Sequence, residues 1–349
     1  MVTKLKVSTK RQNGTNVMNN VGDYTQPLGL DVGTSRIVVA RAREKKQEYD
    51  AQLNAFLTLP YSKLAESLLQ RENVFQEVQG ADIVVGGDDA EKFAEAFHVE
   101  TRRPMMNGVL NAQEPHSLAV VRRIITKLVG HAAVDGQKVF FSVPAANEGL
   151  NESIAYHEAS IRQILTELGY EATPIEEGLA VVYGELAGSN FTGIGISCGS
   201  GLCNICLAVL SVPVISFSVA KAGDFIDTNA AIVTGDRANR LRLSKEKDFQ
   251  FNGFSADRVH NALTVYYQEM LMNLVDSMRT RISSAQKLPK LEQSVPMVLS
   301  GGTAMPKGFL DHFNKVLHAD DFPLGLSEVR VAADPLHSTA RGALMAALC

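Results

Sequence analysis

Two short glycine turns hold the residues whose types and spacing point to chemistry. The first lies in Leu28-Gly29-Leu30-Asp31-Val32-Gly33-Thr34-Ser35. The second lies in Ile194-Gly195-Ile196-Ser197-Cys198-Gly199-Ser200-Gly201-Leu202-Cys203-Asn204. Each reads as a buried strand, a tight turn through small residues and a second strand. Glycine and small hydroxyl residues let several backbone N–H groups crowd around one phosphate oxygen. Asp31 stands at the mouth of the first turn, and Ser197 occupies the matching place in the second. The pattern is a phosphate clamp built twice, with an acid on one jaw only. Glu176-Glu177-Gly178 adds a carboxylate at a helix start, where the helix dipole favours an anion. Leu299-Ser300-Gly301-Gly302-Thr303 adds a strand that runs into a third glycine turn.

The elements that must position these residues fall into two similar halves. In the first, the hairpin continues through Arg36–Arg41, and a mixed segment ends in a strand at Ile83–Gly86 and a helix from about Asp88. Val121, Ile124, Ile125 and Leu128 mark one face of a helix over Leu118–Val129. A β run at Lys138–Pro144 precedes a helix from about Glu152 to Leu168, closed by Gly169. Thr173–Gly184 reads as a turn leading into a helix. The second half repeats this order. A hairpin over 193–220 is followed by a helix beginning in Lys221–Asp227 and a long helix from about Ala256 to Ser283. A strand at Pro296–Ser300 comes next, and a small-residue helix follows Asp334-Pro335. Such halves predict a duplicated α/β fold with a cleft between them. No G-x4-G-K-[ST] run exists, so a P-loop is excluded, and no G-x-G-x-x-G opens a helix after a strand, which leaves a dinucleotide fold little support.

Composition sets the bounds. The chain has 349 residues, 45% of them hydrophobic and 21% charged, with a net charge of −4. That length predicts two domains. The slightly acidic balance excludes a broad basic field for nucleic acid. No apolar run reaches the ~20 residues of a membrane span, and no apolar leader opens the chain, so a cytoplasmic protein is expected. Residues 1–26 carry Lys4, Lys6, Lys10 and Arg11 against one acid, Asp23, and read as a disordered arm. Membrane contact is expected to be peripheral at most, through this arm. Cys198, Cys203 and Cys206 have a C-x4-C-x2-C spacing. Cys203 and Cys206 must face opposite ways on a regular strand, which favours core packing over a metal cluster.

The ordered set resembles the actin-like ATPase superfamily. It comprises Asp31 to Ser35, Glu176 to Gly178, Gly199 to Gly201, Leu299 to Phe309, and Asp334-Pro335. The resemblance is nearest to bacterial actins of the MreB and MamK kind. Arg103-Pro104-Met105-Met106-Asn107-Gly108-Val109-Leu110, Ala222-Gly223-Asp224 with Ile226-Asp227, and Ser244-Lys245-Glu246-Lys247 are similar to segments of that superfamily. The resemblance covers residues 27–349. It implies two duplicated ribonuclease H-like domains around a nucleotide cleft. Residues 27–184 plus 333–349 would form the first, with a small subdomain at about 41–100, and residues 185–332 the second. It implies ATP or ADP with Mg2+ as ligands. Asp31 would hold the metal through water. Gly33, Thr34 and Ser35 would wrap the phosphates from one side, and Gly199, Ser200 and Gly201 from the other. Glu177 matches the glutamate that positions attacking water. Gly223, Asp224, Lys245, Glu246, Gly301, Gly302, Thr303 and Met305 would hold the nucleoside. Self-association into filaments is implied, with docking of another protein partner as the alternative.

The sequence departs from the family pattern in two places. The second hairpin of the family reads D-x-G-x-G-T-T-D. Here Ser197 replaces the first acid, Leu202 and Cys203 replace the hydroxyl pair, and Asn204 replaces the last acid. Phosphate binding through backbone N–H groups should survive, while hydrolysis should be weakened or lost. Too few residues separate Asp227 from the helix near Ala256 for the usual insertion, so the second small subdomain is expected to be reduced or absent.

Overall fold

The structure is a computed structural model that describes residues 25–349, apart from 44–45, 98, 148–149, 286–288 and 290–292. The predicted arm at 1–26 lies outside the described residues except for Thr25 and Gln26. Chain order begins with β1 (Leu28–Val32), β2 (Arg36–Arg43) and β3 (Lys46–Leu53). A small three-stranded sheet of β4 (Phe56–Pro60), β5 (Gln76–Gln79) and β6 (Asp82–Gly86) follows, with α1 (Lys63–Arg71) and α2 (Asp88–Phe97) beside it. A two-stranded hairpin, β7 (Met105–Met106) and β8 (Val109–Leu110), leads to α3 (Ser117–Val129), β9 (Gln137–Val143), α4 (Asn151–Glu167) and β10 (Tyr170–Glu176).

Helix α5 (Glu177–Glu185) carries the chain to the second lobe. That lobe contains β11 (Gly193–Cys198), β12 (Cys203–Val209), β13 (Val212–Val219), α6 (Gly223–Thr234), α7 (Ala238–Asp248) and α8 (Arg258–Ser284). It ends with β14 (Val295–Ser300), α9 (Phe309–Leu317), β15 (Leu326–Val331) and α10 (Ser338–Leu348). The first large sheet has the order β10-β9-β1-β2-β3, and the second the matching order β15-β14-β11-β12-β13. In both, the first three strands are antiparallel and the last two add parallel to the first. The predicted duplication is thus present strand for strand.

Each lobe buries its own core. Leu30, Val39, Val121, Ile124, Ile125 and Phe141 belong to the first, so the face predicted for α3 is the face that packs. Ile196, Cys203, Ile205, Tyr267, Leu271 and Leu299 belong to the second. Cys206 and Ala208 pack on the opposite side of β12, in a different cluster from Cys203, as the odd spacing requires.

Helices α5 and α10 cross where the two lobes join. Helix α10 leaves the second sheet and packs on β1 and β9 of the first, while α5 leaves the first sheet and packs on β11 and β12. Small residues make this crossing close. A Cβ on Gly342 would stand 1.7 Å from the Ala180 carbonyl oxygen, and one on Gly29 would stand 2.2 Å from that of Ala340.

One local expectation is corrected. Thr173–Glu176 is strand, not turn, and α5 starts only at Glu177. Pro174 donates no hydrogen bond, and β10 tolerates it because β10 is an edge strand paired only to β9. Strand β15, also at an edge, carries no signal among the sequence-derived elements. The second small subdomain is reduced as expected: between Thr234 and Arg258 the only regular element is α7.

Candidate functional site

The two turns have one geometry. Gly33 N donates to Arg36 O at 3.0 Å, and Gly199 N donates to Leu202 O at 3.0 Å. The strands behind them also correspond, with Asp31 opposite Val38 and Ser197 opposite Asn204. A Cβ on Gly33 would meet Arg36 O at 2.7 Å, so the first turn requires glycine there. At Gly201 a Cβ would stand 2.5 Å from Thr34 Oγ1 and 2.6 Å from Gly108 N. The two jaws therefore touch, and glycine is what allows it.

Between them lies a cavity of about 690 Å3, within the usual range for a small-molecule site. Asp31, Gly33, Thr34, Ser35, Glu177, Gly199, Ser200, Gly201, Lys245, Glu246, Gly301, Gly302, Thr303 and Met305 all line it. The second turn is pinned from behind. Gly223 N donates to Gly199 O at 3.1 Å, Asp224 N to Ser200 O at 2.7 Å, and Thr303 Oγ1 to Gly199 O at 2.8 Å. With its carbonyls occupied, the turn keeps the N–H groups of Ser200 and Gly201 for a ligand. Ser200 Oγ is buried without a hydrogen-bond partner in this wall. An orphaned hydroxyl in a cradle of glycines fits an anion such as a phosphate.

Two carboxylates stand at the floor. Asp31 Oδ1 accepts from Ser142 Oγ at 2.8 Å, and the same hydroxyl oxygen accepts from Val32 N at 2.8 Å. Glu177, buried in the first turn of α5, accepts at Oε2 from Ser197 Oγ at 2.8 Å. Burial pushes the Glu177 carboxyl up from an ordinary 4.5 to about 8, with the Asp31 charge adding to the effect and Ser197 and Asn204 opposing it. Burial likewise raises Asp31 from 3.8 to about 6, against the Ser142 hydrogen bond. Two acids facing one cavity, neither paired with a base, suit a site that receives a cation.

This has a consequence for stability. Between the unfolded and folded values the native protein holds protons that the unfolded chain releases, so stability falls as pH rises through that window. The ligand-free protein should therefore melt progressively lower from about pH 5 to pH 8. Glu177→Gln should flatten the slope. Differential scanning fluorimetry across this range checks it, and a melting temperature that climbs with pH would refute it.

At the far end of the cavity the sequence-derived residues take mixed parts. Lys245 is buried. Its Nζ bonds Asp227 at 2.8 Å and Gly223 O at 3.2 Å. Glu246 pairs with Arg242 at 3.1 Å. Thr303 is buried and Met305 is half exposed. Gly301, at φ 90°, could not carry a Cβ, which would lie 2.2 Å from Cys198 O.

Three of the sequence-derived residues make further contacts of their own. Asp224 does not line the cavity but pairs with Arg103 of the first lobe at 2.6 Å. Gly223 also stands behind the wall, where its N–H holds the second turn. Thr34 lines the cavity, yet its hydroxyl accepts from Gly108 N at 3.1 Å. The sequence reading missed Arg242, whose side chain is only 8% exposed and which lines the cavity beside Lys245. Its helix reads as a run of solvated charges, and no local signal marks the one arginine that is buried.

A sequence model of the Volactin family matches residues 27–347, nearly the whole described chain. The chain belongs to the Volactin family. The relatives of this Volactin-family chain are actin-like. The actin-like protein MamK of Magnetospirillum gryphiswaldense is 24% identical over 345 residues, covering 91% of this chain and 87% of that one. Among solved structures, a MamK double helical filament matches with a TM-score of 0.68 at 21% identity, over 92% of this chain and 98% of that one. MreB5 of Spiroplasma citri bound to AMPPNP matches with a TM-score of 0.61 at 13% identity, over 90% and 94% of the two chains. The fold is that of the actin-like ATPase superfamily, as the ordered segments implied.

Proposed function

We propose that this chain is an actin-like filament protein that binds ATP or ADP in its central cavity and hydrolyses ATP slowly or not at all. The doubled glycine turn around that cavity carries the reading, because it retains the phosphate cradle while Ser197 stands where the family has an acid. Two domains, residues 27–184 with 333–349 and residues 185–332, would close on the nucleotide. Asp31 is the hard oxygen donor that would hold Mg2+ through water. When bound, the ion would neutralise phosphate charge. Glu177 would orient water, and its raised carboxyl makes it a poor acceptor of a proton near neutral pH. The related MamK structure is a double helical filament, and the related MreB5 carries a nucleotide analogue, which supports both halves of the reading. No helix among the described residues is long and apolar enough to cross a membrane, which is compatible with a cytoplasmic filament.

Sedimentation with ATP, with ADP and with neither, followed by electron microscopy of the pellets, tests the proposal. Filaments that depend on nucleotide are the expected result. A monomer or dimer under every condition would instead favour a non-polymerising adaptor that docks another protein. The reduction of the second small subdomain to α7 gives that alternative its weight, because a larger subdomain there would offer surface for contact between protomers.

A further inference from the structure

The two lobes are tied together a second time, away from the crossing of α5 and α10. One strap comes from the first lobe: α2, which carries Glu91, and the segment after it, which carries Arg103. The other comes from the second lobe: α6, which carries Asp224, and α7, which carries Arg242. Arg242 Nη2 donates to Glu91 Oε1 at 2.5 Å, and Arg103 Nη1 to Asp224 Oδ1 at 2.6 Å. Asn239 Nδ2 adds a weaker contact to Thr101 O at 3.3 Å.

These pairs differ from ordinary surface ion pairs. The Arg242 side chain is 8% exposed and Glu91 is 31% exposed, while Arg103 and Asp224 are 21% and 34% exposed. Partial burial reduces screening, and charge-assisted geometry strengthens each bond. Their placement gives them a role. Arg242 lines the cavity, and Asp224 N also holds the second turn through Ser200 O. A motion that separated the lobes at this end would have to break both ion pairs. Arg242 would keep Glu246 on its own helix, at 3.1 Å, so it has a second partner ready when Glu91 leaves.

We propose that Glu91–Arg242 and Arg103–Asp224 form an ionic latch that holds the cavity mouth shut and sets the rate at which nucleotide leaves. The proposal rests on the nucleotide-binding reading for its rate and on the lobe geometry alone for its closure. Each bond is made in the closed arrangement and lost in the open one, so weakening either shifts the population toward open. Long-range charge attraction adds a salt dependence.

Glu91→Gln and Asp224→Asn test the latch singly and together in the full chain, with a fluorescent ATP analogue as the probe. Its dissociation is expected to speed up about tenfold for either variant and further for the pair. Wild-type dissociation should quicken as salt is raised, and the double variant should have lost most of that dependence. Small-angle scattering of the nucleotide-free chain supplies the second readout, with a larger radius of gyration expected for the double variant. Unchanged dissociation with an unchanged radius would overturn the latch. If the wild type bound no analogue, the nucleotide reading would fail. The latch would then stand or fall on the radius alone, an unchanged value rejecting it.

Discussion

Ser197→Asp is expected to raise magnesium-dependent ATP turnover by about a hundredfold, the usual scale for restoring one electrostatic group to a phosphoryl-transfer site. The geometry explains why the serine matters. Ser197 Oγ donates to Glu177 Oε2 at 2.8 Å, so the second jaw currently supplies a neutral donor to a buried carboxyl already raised toward 8. An aspartate there would add a third acid beside Asp31 and Glu177. Without a cation the three would repel one another, and the variant should melt below the wild type. With Mg2+ and nucleotide the same charge would be drawn onto the ion. The signature is thus paired: lower stability in chelator and faster phosphate release with magnesium. Single-turnover phosphate release and melting curves in both conditions measure it. Wild-type turnover already matching the variant would sink the claim that Ser197 limits hydrolysis. Asn204→Asp offers a second check, because Asn204 lies directly opposite Ser197 and its Oδ1 already accepts from Ala145 N at 2.9 Å. Losing the amide's donor group while gaining charge should help less than the change at Ser197.

How much of this was legible in the sequence depended on how local the physics is. The glycine turns were legible because a turn that brings backbone onto phosphate needs particular residues within five positions, as Gly33 and Gly201 show. The α3 face was legible because its apolar spacing is itself the packing. Strand β10 was not, since Pro174 reads as a turn unless one knows that β10 ends a sheet. The neighbours of Asp224 resemble a family turn and so point it at the nucleoside, yet its partner, Arg103, lies 121 residues away. Arg242 goes unmarked in the sequence for the same reason, with Glu91 151 residues distant. Family motifs place residues near a site. Which of them face the cavity, and which hold the wall from behind, is decided by contacts between distant segments.

Glu185→Gln is expected to cost about 2–3 kcal/mol of stability, and the reason lies at the crossing of the two lobes. Glu185 ends α5 with a side chain only 3% exposed. A carboxylate at a helix C-terminus opposes the dipole and would be unfavourable alone. Two guanidiniums reverse that. Arg330 Nη1 donates to Oε2 at 2.9 Å while its Nη2 takes the Glu185 carbonyl oxygen at 3.0 Å, and Arg341 Nη2 donates to Oε1. Ser338 Oγ completes the set at 3.2 Å. The partners come from β15 and from α10, so one acid joins the outgoing connection of the first lobe to the returning connection of the second. Removing its charge leaves two half-buried guanidiniums with only a neutral amide between them, which is where broken ion-pair networks lose most. The arginines are 30% and 23% exposed, so solvent screening lowers the loss below that of a dry site. For a chain of this size the melting temperature should fall by roughly 5 °C. Urea unfolding of Glu185→Gln measures the loss, and a change below about 0.5 kcal/mol would reject the anchoring role. The double variant Glu185→Gln/Arg341→Met separates charge from shape. It removes one stranded cation and should recover part of the loss, which a purely steric defect would not.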